Sequence, residues 1–251
     1  MLTEERHDYI LNKLTQENTV KIKDLETELN CSISTVRRDL SQLEDEGLLI
    51  RIHGGAKRVY TMSTEMEMQE KSSKNIQEKQ RIGKLAASFV EEEDFIYLDA
   101  GTTTYEMIPF LKDIKDLSVV TNGIDQAQLL LAYGIDTILL GGRIKEKTKA
   151  IIGSVASQQL NTYRFSKTFL GMNGIDQEFG YTTPDTEEAI LKQLAGSLSN
   201  QTFVLADHTK FQKINFVKVS ELEDYQIITD QFAENKYEQF KKWTKIWEAR
   251  E

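Results

Sequence analysis

The chain has 251 residues, a formal net charge of −9, 39% hydrophobic and 28% charged residues, which allows one large domain or two smaller ones with an ample core. No apolar run approaches the ~20 residues of a membrane span, the opening MLTEERHDY is polar and acidic rather than signal-like, and the single cysteine, Cys31, excludes an internal disulfide and fits a reducing cytoplasm. Uniform negative charge would argue against nucleic acid, but from Gly47 to Tyr60 there are basic residues and no acidic ones.

Thr3 is placed to cap a first helix, with Glu4 and Glu5 favouring its positive end, Ile10, Leu11 and Leu14 on its inner face and Asn18 closing it. Val20, Ile22, Leu25 and Leu29 mark a second helix from about Lys21 to Asn30. Ser32 caps a third, in which Ile33, Val36, Leu40 and Leu43 share one face. Ser34, Arg38 and Ser41 lie opposite, Arg37 is on the flank, and Gly47 ends the helix. Leu48–Ile52, a turn at His53-Gly54-Gly55, and then Lys57 and Arg58 form a basic hairpin. A helix with small hydroxyls and arginines outside suits the major groove, and a basic hairpin suits the neighbouring phosphates. The DNA-contacting set is therefore Ser32, Ser34, Thr35, Arg37, Arg38, Arg51, His53, Gly54, Gly55 and Lys57. Residues 1–60 carry more acidic than basic side chains, so binding rests on a small basic surface and calls for two or four copies.

Residues 59–75 are polar and thinly hydrophobic and read as a linker between a DNA-binding domain at 1–58 and a second domain at 76–251. The second domain opens with a helix through Ile82, Leu85, Ala86 and Phe89. After Glu93, strands and helices alternate, the pattern of an α/β domain with a mostly parallel sheet. The strands lie in FIYLDAGTTT, LSVVTNG, TILLGGR, SKTFLGMNGI, QTFVLADHTKF and YQIITD. YEMIPFLKDI and IDQAQLLLAYG are helices, and TTPDTEEAILKQLAGSL is another, capped by Thr183 with Pro184 at its first position. The tail from Phe232 to Trp247 has Phe240, Trp243 and Trp247 at helical spacing.

Ligands of parallel α/β sheets gather outside the carboxyl ends of the strands. There the chain places Asp99, Gly101, Thr102, Thr103 and Thr104; Thr121 and Asn122; Gly141 and Gly142; Asn173 and Gly174; and Asp207 and Lys210. Glycine admits a close backbone approach, threonine hydroxyls and helix-start amides cradle an anion, Lys210 offers charge, and the aspartates accept from hydroxyls. That chemistry describes a sugar phosphate. Lys74, Lys79 and Arg81 could reach a phosphate from the domain entry but read rather as exposed helical side chains, and Arg143 as either a ligand contact or a surface ion pair. His7, His53 and His208 lack metal-ligand spacing, and there is no Walker loop, Gly-x-Ser-x-Gly or Cys pair. No metal, cofactor or catalytic site is expected.

The stretch STVRRDLSQLEDEGLLIRIHGGA, Ser34–Ala56, resembles the DeoR-type winged helix-turn-helix of bacterial sugar-operon repressors. DAGTTT at 99–104, TNG at 121–123, LGG at 140–142, GMNGI at 171–175 and DHTK at 207–210 resemble the effector domain of that family, which is related to ribose-5-phosphate isomerase. The resemblance implies a cytoplasmic repressor that leaves its operator when a phosphorylated sugar binds. EKSSKN at 70–75 and YRFSKTFLGMNGI at 163–175 are most similar to the fructose-operon branch, which implies fructose 1-phosphate. Other branches sense tagatose 6-phosphate or other sugar phosphates, and the loops do not decide between them. The alternative is an aldose–ketose phosphate isomerase with an attached DNA domain, using Asp99 or Asp207 as base. The sign of regulation is not encoded in the residues.

Overall fold

In the computed structural model, which describes residues 2–59, 68–230 and 240–250, the chain divides into two units, Met1–Thr61 and Met62–Glu251. Most of the expected linker, 60–67, lies outside the described residues.

The first unit runs α1 (Thr3–Glu17), β1 (Thr19–Lys21), α2 (Ile22–Leu29), α3 (Ile33–Asp45), β2 (Leu49–Ile52) and β3 (Gly55–Arg58). Its core is the predicted one: Ile10, Leu14, Leu25, Leu29, Val36, Leu40 and Leu43 are buried together, each large aliphatic side chain contributing about 1.5–3 kcal/mol. Asn18 and Asn30 close α1 and α2 in the left-handed conformation. Two expectations are corrected. Thr3 lies inside α1, and it is Leu2 whose N–H donates to the Glu5 carboxylate at 2.8 Å. Val20 is not helical but sits at the centre of β1, paired with Ala56 in a three-stranded sheet of order β1-β3-β2. Gly55 is the residue that lets this sheet form, because a Cβ there would stand 1.9 Å from the Val20 carbonyl oxygen.

The second unit begins with α4 (Met68–Ser73) and α5 (Ile76–Ala87). It continues β4 (Phe95–Leu98), α6 (Thr102–Tyr105), β5 (Ser118–Thr121), α7 (Ile124–Ala132), β6 (Asp136–Leu139), β7 (Arg143–Lys145), β8 (Ala150–Ile152) and α8 (Ser154–Leu160). Then come β9 (Phe165–Gly171), β10 (Gly174–Asp176), β11 (Gly180–Thr183), α9 (Thr186–Ser197), β12 (Ser199–Leu205), β13 (Val217–Ser220), β14 (Gln226–Asp230) and β15 (Ile246–Ala249). Seven of the strands form one sheet of order β15-β14-β12-β9-β4-β5-β6, parallel throughout. Neighbouring residues of one strand face opposite layers. Ile96, Val119, Phe169, Phe203 and Ile228 pack with Ile82, Ala86 and Leu130 of α5 and α7. Tyr97, Val120, Leu170, Val204 and Ile227 pack with Leu160, Leu191 and Ala195 of α8 and α9. The chain moves outward from β4 through β5 to β6, then returns to lay β9 on the other side of β4. The strand order therefore reverses between β4 and β9.

Four local readings change. YEMIPFLKDI is not one helix: α6 is a single turn, followed by a 3-10 turn at Ile108–Phe110, since Pro109 has no N–H for the Tyr105 carbonyl. Thr183 ends β11, and Asp185 caps α9 by accepting from the N–H groups of Glu187 and Glu188, both at 2.9 Å. Ile246–Ala249 is a parallel edge strand, not the end of a tail helix. Trp247 there meets Phe89 at 4.9 Å and donates from its indole to Gln226, whereas Phe240 packs edge-on against Phe211; the remainder of that tail, 232–239, lies outside the described residues. The β7–β8 hairpin and the small sheet of β10, β11 and β13 were not expected.

Candidate functional site

On the first unit, α3 presents Ser34, Arg37 and Arg38 to solvent, and β2 and the turn after it present Arg51, His53 and Gly54. Lys57 is exposed on β3. Two of the expected contacts have internal work. The Ser32 hydroxyl accepts from the Thr35 N–H at 3.2 Å and shares hydrogen bonds with the hydroxyls of Ser34 and Thr35. Gly55 is buried against β1. Arg51 is held in place: its guanidinium donates to the Ser41 hydroxyl at 2.7 Å and its N–H to the Glu44 carboxylate at 3.0 Å. The helix itself is anchored by Asp39, a buried carboxylate that takes two hydrogen bonds from Arg6 of α1, at 2.7 and 2.9 Å. Arg6 and Asp39 went unremarked in the sequence; the signal was a charge at position 39 between two core positions of α3.

On the second unit, the loops after β4 and β9 meet where the strand order reverses, and a cleft opens there. Open parallel sheets bind ligands at this kind of place. Of the expected effector residues, Asp99, Gly101, Thr102, Thr103, Asn173 and Lys210 line it. The threonines lead the first turn of α6, whose early N–H groups have no acceptor within the helix. Asp99 is already engaged: it is buried, its Oδ2 accepts from the Gly171 N–H at 2.9 Å, and it forms an ion pair with Lys192 of α9.

Other predicted residues sit behind the lining, and two lie away from it. The Thr104 hydroxyl donates to the Asp99 carbonyl at 2.6 Å and accepts from the Gly101 N–H at 3.0 Å. Thr121 is fully buried and accepts from the Gly123 N–H. Asn122 accepts from the Ala100 N–H at 2.9 Å, donates to the Ile151 carbonyl at 3.3 Å, and takes the Ile151 N–H on its own carbonyl at 2.7 Å. Gln126 adds a bond to the Gly101 carbonyl at 2.9 Å. Gly141 and Gly142 are not at this cleft: Gly141 donates to Gln159, and a Cβ on Gly142 would meet the Ile152 carbonyl. Gly174 packs against the Lys213 carbonyl, too close for a Cβ. Asp207 accepts from the N–H and hydroxyl of Thr209. Burial pushes its carboxyl up, but the charge of Lys210, the Thr209 hydrogen bonds and Lys79 outweigh that and hold it below its usual range.

The cleft has further lining that the sequence did not reveal: Lys71, Thr148, Glu188 and Lys192. Glu188 accepts from the Thr148 hydroxyl at 2.8 Å and pairs with Lys145 at 3.1 Å, which ties the β7–β8 hairpin to α9. Glu188 and Lys192 are one helical turn apart on the side of α9 that also buries Ala189, Leu191 and Ala195, and charges at such positions were the available signal. Lys79 is buried rather than exposed, on the face of α5 that carries Ile82 and Ala86. Arg143 is a surface ion pair with Glu187. His208 bonds to Asp230 at 2.7 Å.

Two family descriptions match the chain: a DeoR-like helix-turn-helix domain over residues 6–61 and a DeoR C terminal sensor domain over residues 74–231. The HTH-type transcriptional regulator FruR of Bacillus subtilis, itself uncharacterised, is 45% identical over 98% of both chains. The putative aga operon transcriptional repressor of Escherichia coli O157:H7 is 32% identical over 86% of this chain and 82% of that protein. The lactose phosphotransferase system repressor of Staphylococcus aureus is 33% identical over 96% and 98%. Among solved structures, ribose 5-phosphate isomerase A from Neisseria gonorrhoeae overlaps 59% of this chain and 56% of that one, at 17% identity and a TM-score of 0.40.

Proposed function

The chain belongs to the DeoR family of transcriptional regulators, and from that premise we propose that it represses a sugar-utilisation operon, fructose first among the candidates, and leaves its operator when a sugar phosphate such as fructose 1-phosphate fills the cleft. The relatives are named regulators and repressors, not enzymes. The isomerase alternative needs a carboxylate base turned to a substrate. Asp99 is instead bound by Lys192 and Gly171, and Asp207 by Thr209.

The observation that carries the reading is the lining at the strand reversal. Lys71 and Lys210 bring positive charge, and Thr102 and Thr103 bring helix-start amides and hydroxyls, the partners a phosphate needs. Thr148, Asn173 and Glu188 bring acceptors and hydroxyls suited to a sugar. Asp99 neutralises Lys192, so the balance left favours an anion.

On the DNA side, α3 enters the major groove with Ser34, Arg37 and Arg38, while Arg51, His53 and Lys57 meet phosphates. Two copies, or a pair of pairs, set two recognition helices about 34 Å apart on the operator half-sites. The effector works by binding the released arrangement more tightly than the DNA-bound one.

The test is fluorescence anisotropy on operator DNA titrated with a panel of sugar phosphates, alongside thermal shift. One of them is expected to release DNA and, at about a hundred times its Kd, to stabilise the fold by about 2.7 kcal/mol. Lys210→Ala should lose that response and keep operator affinity. Release by an unphosphorylated sugar, or by none of the panel, would refute the proposal.

A further inference from the structure

The buried face of α5 reads Lys79, Ile82, Gly83, Ala86 and Ala87. A lysine in that row stands where an aliphatic side chain belongs. Lys79 is 3% exposed. Its ammonium donates to the backbone carbonyl of Lys71, in α4. Burial is the main influence lowering its pKa; Lys210 and Lys71 add to it, and Asp207 and Glu106 oppose it. A buried cation thus stands among the charges behind the cleft with one hand on the backbone of α4. Lys71 lines the cleft, and the next residue, Ser72, lines an adjoining hollow with Thr102, Tyr105 and Leu129. Among the described residues, α4 is also the first element after the DNA-binding unit.

We infer that Lys79 is the positioning residue that couples an anion in the cleft to the seating of α4, and so to operator affinity. The inference rests on the sugar-phosphate reading above. A phosphate beside Lys210 offsets the repulsion between Lys210 and Lys79. The Lys79 ammonium then keeps its hold on the Lys71 carbonyl more firmly, through a charge-assisted hydrogen bond about twice as strong as a neutral one. The filled cleft holds α4 down, and the empty cleft lets it lift.

The first arm uses the natural sequence. Hydrogen exchange of the α4 amides is measured in the full-length protein with and without fructose 1-phosphate, with inorganic phosphate as a second probe. Calorimetry on the same samples reports occupancy. Protection of α4 is expected to rise by about tenfold or more on filling. Unchanged protection in an occupied protein overturns the inference without touching the sugar-phosphate reading. The second arm compares K79M with K79Q, which keeps a donor for the carbonyl but no charge. In K79M, effector Kd should stay within about threefold of wild type, while the usual coupling of about 5–150-fold between effector and operator affinity collapses. K79Q should retain part of it. K79M that releases operator as wild type does overturns the inference. K79M that no longer binds effector makes Lys79 a ligand contact and overturns it too. If the wild-type protein binds neither probe, the reading of the cleft has failed and the inference falls with it.

Discussion

Replacing Lys192 by methionine keeps much of the side-chain volume on α9 and removes the ammonium facing Asp99. Asp99 is 3% exposed and Lys192 6%, so water does not take the ammonium's place. The carboxylate retains the Gly171 N–H at 2.9 Å, which is too little to hold a buried charge. Removing one member of a buried ion pair costs about 3–5 kcal/mol. In a unit of about 150–250 residues each kcal/mol lowers Tm by about 2–4 °C, so Lys192→Met should melt about 6–20 °C lower. Adding Asp99→Asn removes the stranded charge while keeping an acceptor for Gly171. The double variant should therefore recover about 2 kcal/mol or more over Lys192→Met alone, a coupling that only partners in contact show. Thermal melts of the four full-length proteins, followed by near-UV circular dichroism, give the cycle. A single variant within about 2 °C of wild type, or a double variant no better than the sum of the singles, would refute the claim that buried Asp99 depends on Lys192 for its charge.

Gly55→Ala forces a Cβ to within 1.9 Å of the Val20 carbonyl oxygen, so β1 and β3 must part. Operator affinity should fall by about tenfold or more while calorimetry finds effector affinity unchanged; equal operator binding would mean the wing tolerates the strain. Asp207 is held below its usual carboxylate value. Its contribution is therefore full above the unfolded pKa of about 3.9 and is lost as pH falls through the lower folded value. Asp207→Asn should flatten the loss of stability in urea melts below about pH 4, and parallel curves for the two proteins would count against it. Arg38→Ala should weaken operator binding and, if it meets a phosphate, reduce the slope of log K against log salt by about 0.9; an unaltered slope with weaker binding would assign Arg38 to a base edge instead.

What was legible in the residues was local. The period of Val36, Leu40 and Leu43, the asparagines that end α1 and α2, and the strand-then-glycine rhythm of the second unit each have a short-range cause. Less visible was what depends on partners far along the chain. Asn122 has the right type for a ligand contact, but Ala100 and Ile151, brought in by other strands, claim its amide. β15 was hidden because Trp243 and Trp247 are four apart, as on a helix, while its pairing with β14 is invisible to any short window. The β7–β8 hairpin has three-residue strands separated by charges, too short to register as alternation. Glu188 and Lys192 are opposite charges one turn apart, a spacing common to solvent-facing pairs, and it is the buried neighbours Ala189, Leu191 and Ala195 that mark their side of α9 as inward.

The Asn122 amide, just past the end of β5, ties the loop after β4 to the middle of β8. On that side of the cleft little ordering entropy is left for the effector to overcome, so discrimination among sugars there depends on the fit of a preformed mould. Anyone retargeting this sensor to another metabolite should leave that amide alone and vary the hairpin side of the mould, where Thr148 reaches across to Glu188. Changes at Asn122 would loosen the mould for every sugar alike and yield a dull instrument rather than a different one.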